Sequence, residues 1–431
     1  MEIAELYKIY NQYPHITTDS RACQKDSIFF ALKGERFNGN IFAEESLNQG
    51  CSYAVVDEWD SKQKNDRIIV VDNVLETLQK LANYHRKKLK APILGITGTN
   101  GKTTTKELIA TTLSRKYKVA YTQGNFNNHI GVPLTLLSMN KSHEIGIVEM
   151  GANHPGEIKA LCEIVEPNYG LITNVGKAHL EGFGSFENVI KTKGELYDYI
   201  RDNEGKVFVN KDNTYLYEMS EGMDRIVYGK NDPSLFASVT IAEANPFLEF
   251  FWNFFDKSYR VKTNLVGEYN LDNVMAAVTV GKFFGIHSDT ISAALEEYEP
   301  KNNRSQFERT EKNDVIMDAY NANPTSMKAS LDFFAKIPSS LPKIAILGEM
   351  KELGTITEEE HTKIITYLEQ QPFQQIFLVG NAFKEIAQTK FPVFDTVEHL
   401  IEELKQHPLS GNYILLKGSH SVHLERVIEF L

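Results

Sequence analysis

The run Gly95-Ile96-Thr97-Gly98-Thr99-Asn100-Gly101-Lys102-Thr103-Thr104 holds the residue types that grip a phosphate, in the order that gripping needs. It follows an apolar stretch, Pro92 to Ile96, and opens a helix-favouring one, Lys102 to Arg115. A strand that turns through glycines into a helix N-terminus aims several backbone N–H groups at one spot, with the positive end of the helix dipole behind them. Lys102 then reaches the outer phosphates as a point charge, and the Thr103 hydroxyl stands where a Mg2+ ligand belongs. The commoner phosphate loop has four residues between its glycines, whereas Gly98 and Gly101 are separated by two. A threonine-capped glycine turn that happens to contain a lysine is the competing reading.

Other polar residues fall beside apolar runs. Glu149 closes the run from Ile145 and is either a second oxygen ligand for a phosphate-bound Mg2+ or an ordinary strand-end acid. His179 follows the run Leu171 to Val175, on the same rim as Lys102 if it is not simply a structural histidine. In Gly267-Glu268-Tyr269-Asn270-Leu271-Asp272-Asn273 two asparagines offer paired donors and acceptors to an adenine, or merely cap a helix from Val274 to Phe284. Near the start, Thr18-Asp19-Ser20-Arg21 and the patch from Lys33 to Gly39, with Arg36, present donors to a ligand or are solvated turns. Asp318-Ala319-Tyr320-Asn321-Ala322-Asn323-Pro324, Gly348-Glu349-Met350 and Lys417-Gly418-Ser419-His420-Ser421 each follow a candidate strand. Polar clusters after three strands of one sheet converge in space.

These residues need an α/β scaffold of three domains. Residues 1–88 read as a small α/β unit, with strands at Ser27 to Leu32 and Tyr53 to Asp57 and helices at Phe42 to Gln49 and Val74 to Lys87. Residues 89–297 alternate strand and helix as a mostly parallel sheet, with strands at Ile93 to Thr97, Ile145 to Met150 and Gly170 to Asn174, crossover helices between them and a helix at Glu187 to Leu196. Within them Ser238 to Leu265, carrying Phe247, Phe250, Phe251, Trp252, Phe254 and Phe255, reads as antiparallel strands covering one side of that sheet. Residues 298–431 open with a polar run from Pro300 to Arg304 and form a doubly wound, Rossmann-like domain. Its strands are Val315 to Ala319, Ile344 to Leu347, Ile376 to Val379 and Tyr413 to Leu416, each followed by a helix.

Composition removes other classes. The 431 residues carry 57 acidic against 46 basic side chains, the latter scattered, which disfavours nucleic-acid and anionic-membrane partners. No apolar run approaches the roughly 20 residues that span a bilayer, and the start lacks a secretion signal, so a cytoplasmic protein is expected. Cys23, Cys51 and Cys162 are an odd set without a C-x-x-C pair, which argues against a disulfide framework or a zinc site.

The chain resembles the Mur ligases, ATP-dependent amide-forming enzymes of cell-wall precursor synthesis. The resemblance rests on Gly98 to Thr104, Asn125-Phe126-Asn127-Asn128-His129-Ile130-Gly131-Val132-Pro133, Glu149-Met150-Gly151-Ala152 and Asn174-Val175-Gly176-Lys177-Ala178-His179-Leu180, in family order. Asp19-Ser20-Arg21, Ala31 to Gly39, Gly182-Phe183-Gly184-Ser185, Lys193-Gly194-Glu195 and Asp318 to Pro324 resemble the branch that joins D-alanyl-D-alanine to UDP-N-acetylmuramoyl-tripeptide. In that family a carboxylate attacks the γ-phosphate of ATP and an amine displaces phosphate from the acyl phosphate, an electrostatic problem of joining anions. The resemblance implies nucleotide contacts from Gly98, Thr99, Asn100, Gly101, Lys102, Thr103, Thr104, Asn270, Arg304 and Asp318. It implies two Mg2+ ions, with Thr103 and Glu149 at the first, His179 at the second, and Lys193 as a CO2-derived carbamate that ligates metal. Ser20, Arg21, Lys33 and Arg36 would hold UDP, Asn128 would lie near the muramoyl-peptide, and Asn321, Asn323 and Ser419 near the dipeptide. A monomer is expected. Many relatives have arginine where this chain has His420. A sister ligase adding one amino acid, a folylpolyglutamate synthetase and a non-catalytic nucleotide-binding protein are the alternatives. The missing Asp-Asn-Pro-Arg stretch, the UDP-type first domain and the intact Glu149, His179 and Lys193 count against them in turn.

Overall fold

The computed structural model describes residues 1–60, 65–254, 257–301, 303–386 and 390–431. Phe255 and Asn302, named above within longer runs, lie outside them. The first sheet has four parallel strands in the order His15–Thr17, Ser27–Phe30, Tyr53–Val56, Ile68–Val70. The helix Val74–Arg86 follows and turns Leu78, Leu81 and Ala82 inward. Those side chains share one apolar cluster with Leu136, Ile158 and Leu161 of the central region, so no solvent layer separates the two.

The central sheet has nine strands. Its parallel part runs Ala237–Ala244, Asp224–Lys230, Lys206–Asn210, Tyr169–Ile172, Ile93–Thr97, Ile145–Glu149, Val119–Tyr121. Ile93–Thr97 is buried along its whole length, as a parallel strand covered on both faces must be. The aromatic strands Phe247–Phe254 and Lys257–Val266 are antiparallel as expected, but they do not cover a face. Tyr228 pairs with Ala237 in the ladder, which makes these strands a continuation of the sheet at its edge. Alternation still decides their packing: Leu248, Phe250 and Trp252 are fully buried beneath the helices Leu271–Phe283 and Ser288–Glu297, while Phe251 faces out.

The third sheet runs Gln306–Arg309, Asp314–Asp318, Tyr413–Lys417, Lys343–Gly348, Gln375–Val379, Val393–Phe394, with only the first pairing antiparallel. After Tyr413–Lys417 the expected helix is replaced by two 3-10 segments, His420–Val422 and Leu424–Phe430. His423 between them takes a left-handed φ of 59°, which interrupts any regular helix there. Among the described residues no helix is long and apolar enough to cross a membrane.

Candidate active site

At the carboxyl edge of the central sheet the chain turns from Ile93–Thr97 through Gly98 and Gly101 into the helix Lys102–Leu113. Gly98 has φ 142°, and a Cβ there would stand 2.0 Å from Thr173 Oγ1; Gly101 has φ 77°, with a Cβ 2.4 Å from Asn273 Oδ1. Conformation and space both require glycine, and the exposed amides line a cradle that a side chain would fill. Asn174 pins the loop, its Oδ1 accepting from the Asn100 N–H at 2.9 Å and its Nδ2 donating to the Asn100 carbonyl at 3.0 Å. Thr99 and Thr104 are buried beside it. Lys102 is bent over its own loop, donating to the carbonyls of Gly98 at 2.8 Å and Thr99 at 3.0 Å. Burial lowers its pKa, against the pull of Glu149 and with a further push from Arg304.

Thr103 Oγ1 donates to Glu149 Oε1 at 3.2 Å, and Asn127 Nδ2 donates to the same oxygen at 2.8 Å. Glu149 Oε2 is buried without a hydrogen-bond partner, with Lys106 Nζ 3.5 Å away. A buried carboxylate oxygen left open next to a hydroxyl is a donor set that suits a hard cation. Lys193 comes in from the helix Phe186–Asp202, its Nζ 3.4 Å from the Ala152 carbonyl and 5.3 Å from the centre of the Phe183 ring. Burial, joined by the charge of Lys102, pushes its pKa down to about 7. Near neutral pH roughly half of such amines are uncharged and nucleophilic. His179, held at a left-handed φ of 50°, pairs through Nδ1 with Glu352 of the third sheet's loops. That pairing keeps the Glu352 carboxyl below its ordinary range.

Lys102, Thr103, Asn127, Glu149, His179 and Glu352 line a cleft of about 1560 Å³ together with Asn128, Asn270, Arg304, Asp318, Asn321, Ser419 and His420. Lys193 is buried behind it, on the carbonyl of the lining residue Ala152. Asn270 is buried, its Nδ2 on the Val266 carbonyl and its Oδ1 on Asn273, each at 2.8 Å. The Arg304 guanidinium lies 3.7 Å from the Tyr320 ring centre, and His420 stacks on that ring at 5.3 Å. Asp318 Oδ2 accepts from Ser330 at 2.9 Å and sits 3.0 Å from Lys417 Nζ. Asn128 Oδ1 accepts from the N–H groups of Ile130 and Gly131.

Residues 96–281 match the Mur ligase middle domain, 303–420 the Mur ligase glutamate ligase domain, and 12–86 the Mur ligase family catalytic domain. The UDP-N-acetylmuramoyl-tripeptide–D-alanyl-D-alanine ligase of Bacillus subtilis is 30% identical over 96% of this chain and 92% of its own length. The Escherichia coli enzyme of the same name is 30% identical over 96% and 93%. This chain belongs to the Mur ligase family. Among solved structures, MurF from Acinetobacter baumannii superposes with a TM-score of 0.86 at 30% identity, covering 99% of this chain and 97% of that one. The MurF ligase of Thermotoga maritima in complex with ADP does so with a TM-score of 0.85 at 28% identity, covering 97% of each.

Not every residue singled out from the sequence of this Mur ligase reaches the cleft. Ser20, Arg21, Lys33, Arg36, Gly98, Lys193 and Asn323 are not among its lining residues. Arg21, with an 86% exposed side chain, is paired with Asp19 at 2.8 Å, and Lys33 with Asp57 at 3.1 Å and Glu58 at 3.0 Å. Asn323 spends its amide on the Ser326 N–H at 2.9 Å, capping the helix Pro324–Lys336, and on Asn100 Oδ1 at 2.7 Å across the domain joint. The first domain's wall of the Mur ligase cleft is instead Glu76, Gln79, Lys80, Asn83, Tyr84 and Lys87. Their three-and-four spacing along the helix Val74–Arg86 was the available signal, since it marks one face. Asn127 and Lys106 beside Glu149, and Glu352 beside His179, are further residues that motif reasoning passed over.

Proposed function

We propose that this Mur ligase joins D-alanyl-D-alanine to UDP-N-acetylmuramoyl-tripeptide with ATP, through an acyl phosphate, giving UDP-N-acetylmuramoyl-pentapeptide, ADP and phosphate. The observation that carries the chemistry is the meeting of Gly101, Lys102, Thr103, Glu149 and His179 around one cleft, with the buried amine of Lys193 behind its Ala152 wall. The substrates follow from relatives of that name, which match 96% of the chain.

In this reading the loop amides from Gly98 to Thr104 and the Lys102 ammonium hold the nucleotide phosphates, and Lys102 swings from its two carbonyl partners to do so. Asn270, Arg304 and Asp318 hold the rest of the nucleotide. Thr103 and Glu149 would hold one Mg2+, and His179 with a carbamylated Lys193 a second, which would supply charge neutralisation for the anions being joined. The free amine of Lys193 attacks CO2, forms an N–C bond and loses a proton, which turns a cation into an oxygen ligand. Ser20, Arg21, Lys33 and Arg36 hold UDP beyond the cleft, Asn128 faces the muramoyl-peptide, and Asn321 and Ser419 face the dipeptide. Asn323 fixes that wall through Asn100. Domain boundaries fall at 88/89 and 297/298, since the three sheets lie within 15–70, 93–266 and 306–417. The enzyme works in the cytoplasm as a monomer.

The test is phosphate release from ATP in the presence of UDP-N-acetylmuramoyl-tripeptide, with product identification. Stimulation by D-alanyl-D-alanine with formation of the pentapeptide is the expected result. Stimulation by a free amino acid instead, or no turnover, rejects the assignment.

A further inference from the structure

In the first domain two cysteines that are distant in sequence meet. Cys23 follows the 3-10 turn Ser20–Ala22, and Cys51 immediately precedes the strand Tyr53–Val56. Their sulfurs lie 2.7 Å apart, about 0.7 Å more than the ~2.05 Å of a disulfide. The sheet places Cys51, and the segment carrying Cys23 is tied to the same strand end, the Gln24 N–H donating to Ser27 Oγ at 3.3 Å and Ser27 Oγ donating to the Gln24 carbonyl at 2.6 Å. Ile28 pairs with Tyr53 in the parallel ladder, and the Ser52 N–H donates to the Ser27 carbonyl at 2.8 Å. The same strand ends place Ser27 Oγ 3.1 Å from Cys51 Sγ. Cys51 is buried and Cys23 is partly exposed, so one sulfur is accessible and the other waits behind it.

We propose that Cys23 and Cys51 form an oxidisable dithiol, a modification site that a hydroperoxide closes to a disulfide. The Cys23 sulfur attacks the peroxide, breaking O–O and forming S–O, and water leaves. The Cys51 sulfur then attacks Cys23, forming S–S and breaking S–O, and a second water leaves with the thiol proton. Two thiols lose two hydrogens in all, and one peroxide becomes two waters. Burial, the neighbouring Cys51 sulfur and the carboxylates of Asp19 and Glu45 push the Cys23 thiol up to about 12.

Closure would tie the turn that carries Ser20 and Arg21 to the sheet, in the pose where Arg21 is turned back on Asp19. This consequence rests on the proposed role of those residues toward UDP; the cross-link itself does not. Reduced full-length protein is incubated with hydrogen peroxide, alkylated under denaturing conditions and read by intact mass and peptide mapping. Expected are loss of two hydrogens and one linked pair containing residues 23 and 51, reversed by dithiothreitol. The link is absent in Cys23→Ser and Cys51→Ser and present in Cys162→Ser. Because Cys51→Ser alters a buried site, the partly exposed Cys23→Ser keeps the test valid if the former misfolds. Two alkylated thiols after peroxide, or oxygen added to Cys23 in place of the link, overturns the proposal. Oxidised enzyme should show a several-fold higher KM for the UDP substrate with kcat and the KM for ATP unchanged. An unaltered KM refutes the coupling to the turn.

Discussion

Where the N-terminal domain meets the central one, apolar side chains run through the joint without a break, whereas the C-terminal domain reaches across the cleft mainly with polar pairs. On the first side Leu78, Leu81, Leu136 and Leu161 share one cluster, and the buried Arg86 guanidinium donates to the Val165 and Glu166 carbonyls and to Asn168. On the second side Asn323 meets Asn100 and Glu352 meets His179, while apolar contact gathers at one end of the joint, where Val266 joins the C-terminal cluster, Phe247 packs on Phe307 and Tyr269 on Phe333. Few buried apolar contacts and several exchangeable polar ones mark the joint that moves at low cost. On the proposed function, the first joint would deliver a substrate in fixed register and the second would complete the site on closing.

The contrast is tested most severely just behind the cleft wall, at Lys193 against the Ala152 carbonyl. Lys193→Ala removes a preorganised group, so turnover should fall about 10²–10³-fold, and bicarbonate should not restore it. Lys191→Ala, two residues earlier on the same helix, should stay near wild type. Steady-state rates of the two variants decide it, and equal activities would take Lys193 out of the mechanism. At the apolar joint, Arg86→Ala takes the guanidinium away from the Val165, Ala91 and Glu166 carbonyls and from Asn168, which keeps the Ile93 N–H, and should cost about 3 kcal/mol in denaturant unfolding, with kcat little changed while the protein is folded. At the polar joint the pattern should invert. Glu352→Gln should lower kcat about 10–100-fold and raise the Mg2+ concentration needed for half-maximal rate, without moving the unfolding midpoint.

The unequal joints also explain which parts of the molecule were legible from residues alone. The phosphate loop was, because Gly98, Gly101, Lys102 and Thr103 are consecutive and their geometry is local. The sheets were largely so, because strands such as Ile93–Thr97 and Tyr413–Lys417 are buried along their length and read as apolar runs. The short strand Val119–Tyr121 and the edge strand Val393–Phe394 were not, since half-buried edge segments of two or three residues carry no period. The pairing of His179 with Glu352 was illegible for another reason: it joins separate domains, and nothing local to either residue encodes the partner. The ion pairs of the N-terminal basic residues were illegible too, for Lys33 and Arg21 stand against carboxylates of Asp57, Glu58 and Asp19 and away from the cleft.

The smallest effect should appear in acid, at the apolar joint. His85 is buried there, with Nδ1 3.1 Å from the Tyr7 hydroxyl and Nε2 2.9 Å from the Met139 carbonyl. Burial lowers its pKa below the ordinary 6.5, outweighing the carbonyl contact that raises it. In the window between the folded and unfolded values the unfolded chain binds more protons, so stability rises with pH there. The contribution is fully present above about 6.5 and is lost as pH falls toward the folded value. The urea midpoint should accordingly drop from pH 8 to pH 5 in wild type, and drop less in His85→Gln, whose amide keeps a donor for Met139 and has no proton to gain. Because the group belongs to the first joint alone, acid should loosen that joint while the Asn100–Asn323 contact is untouched. Equal midpoint shifts in wild type and variant would mean that some other group sets the acid limit and that this joint is no weaker for carrying a buried imidazole.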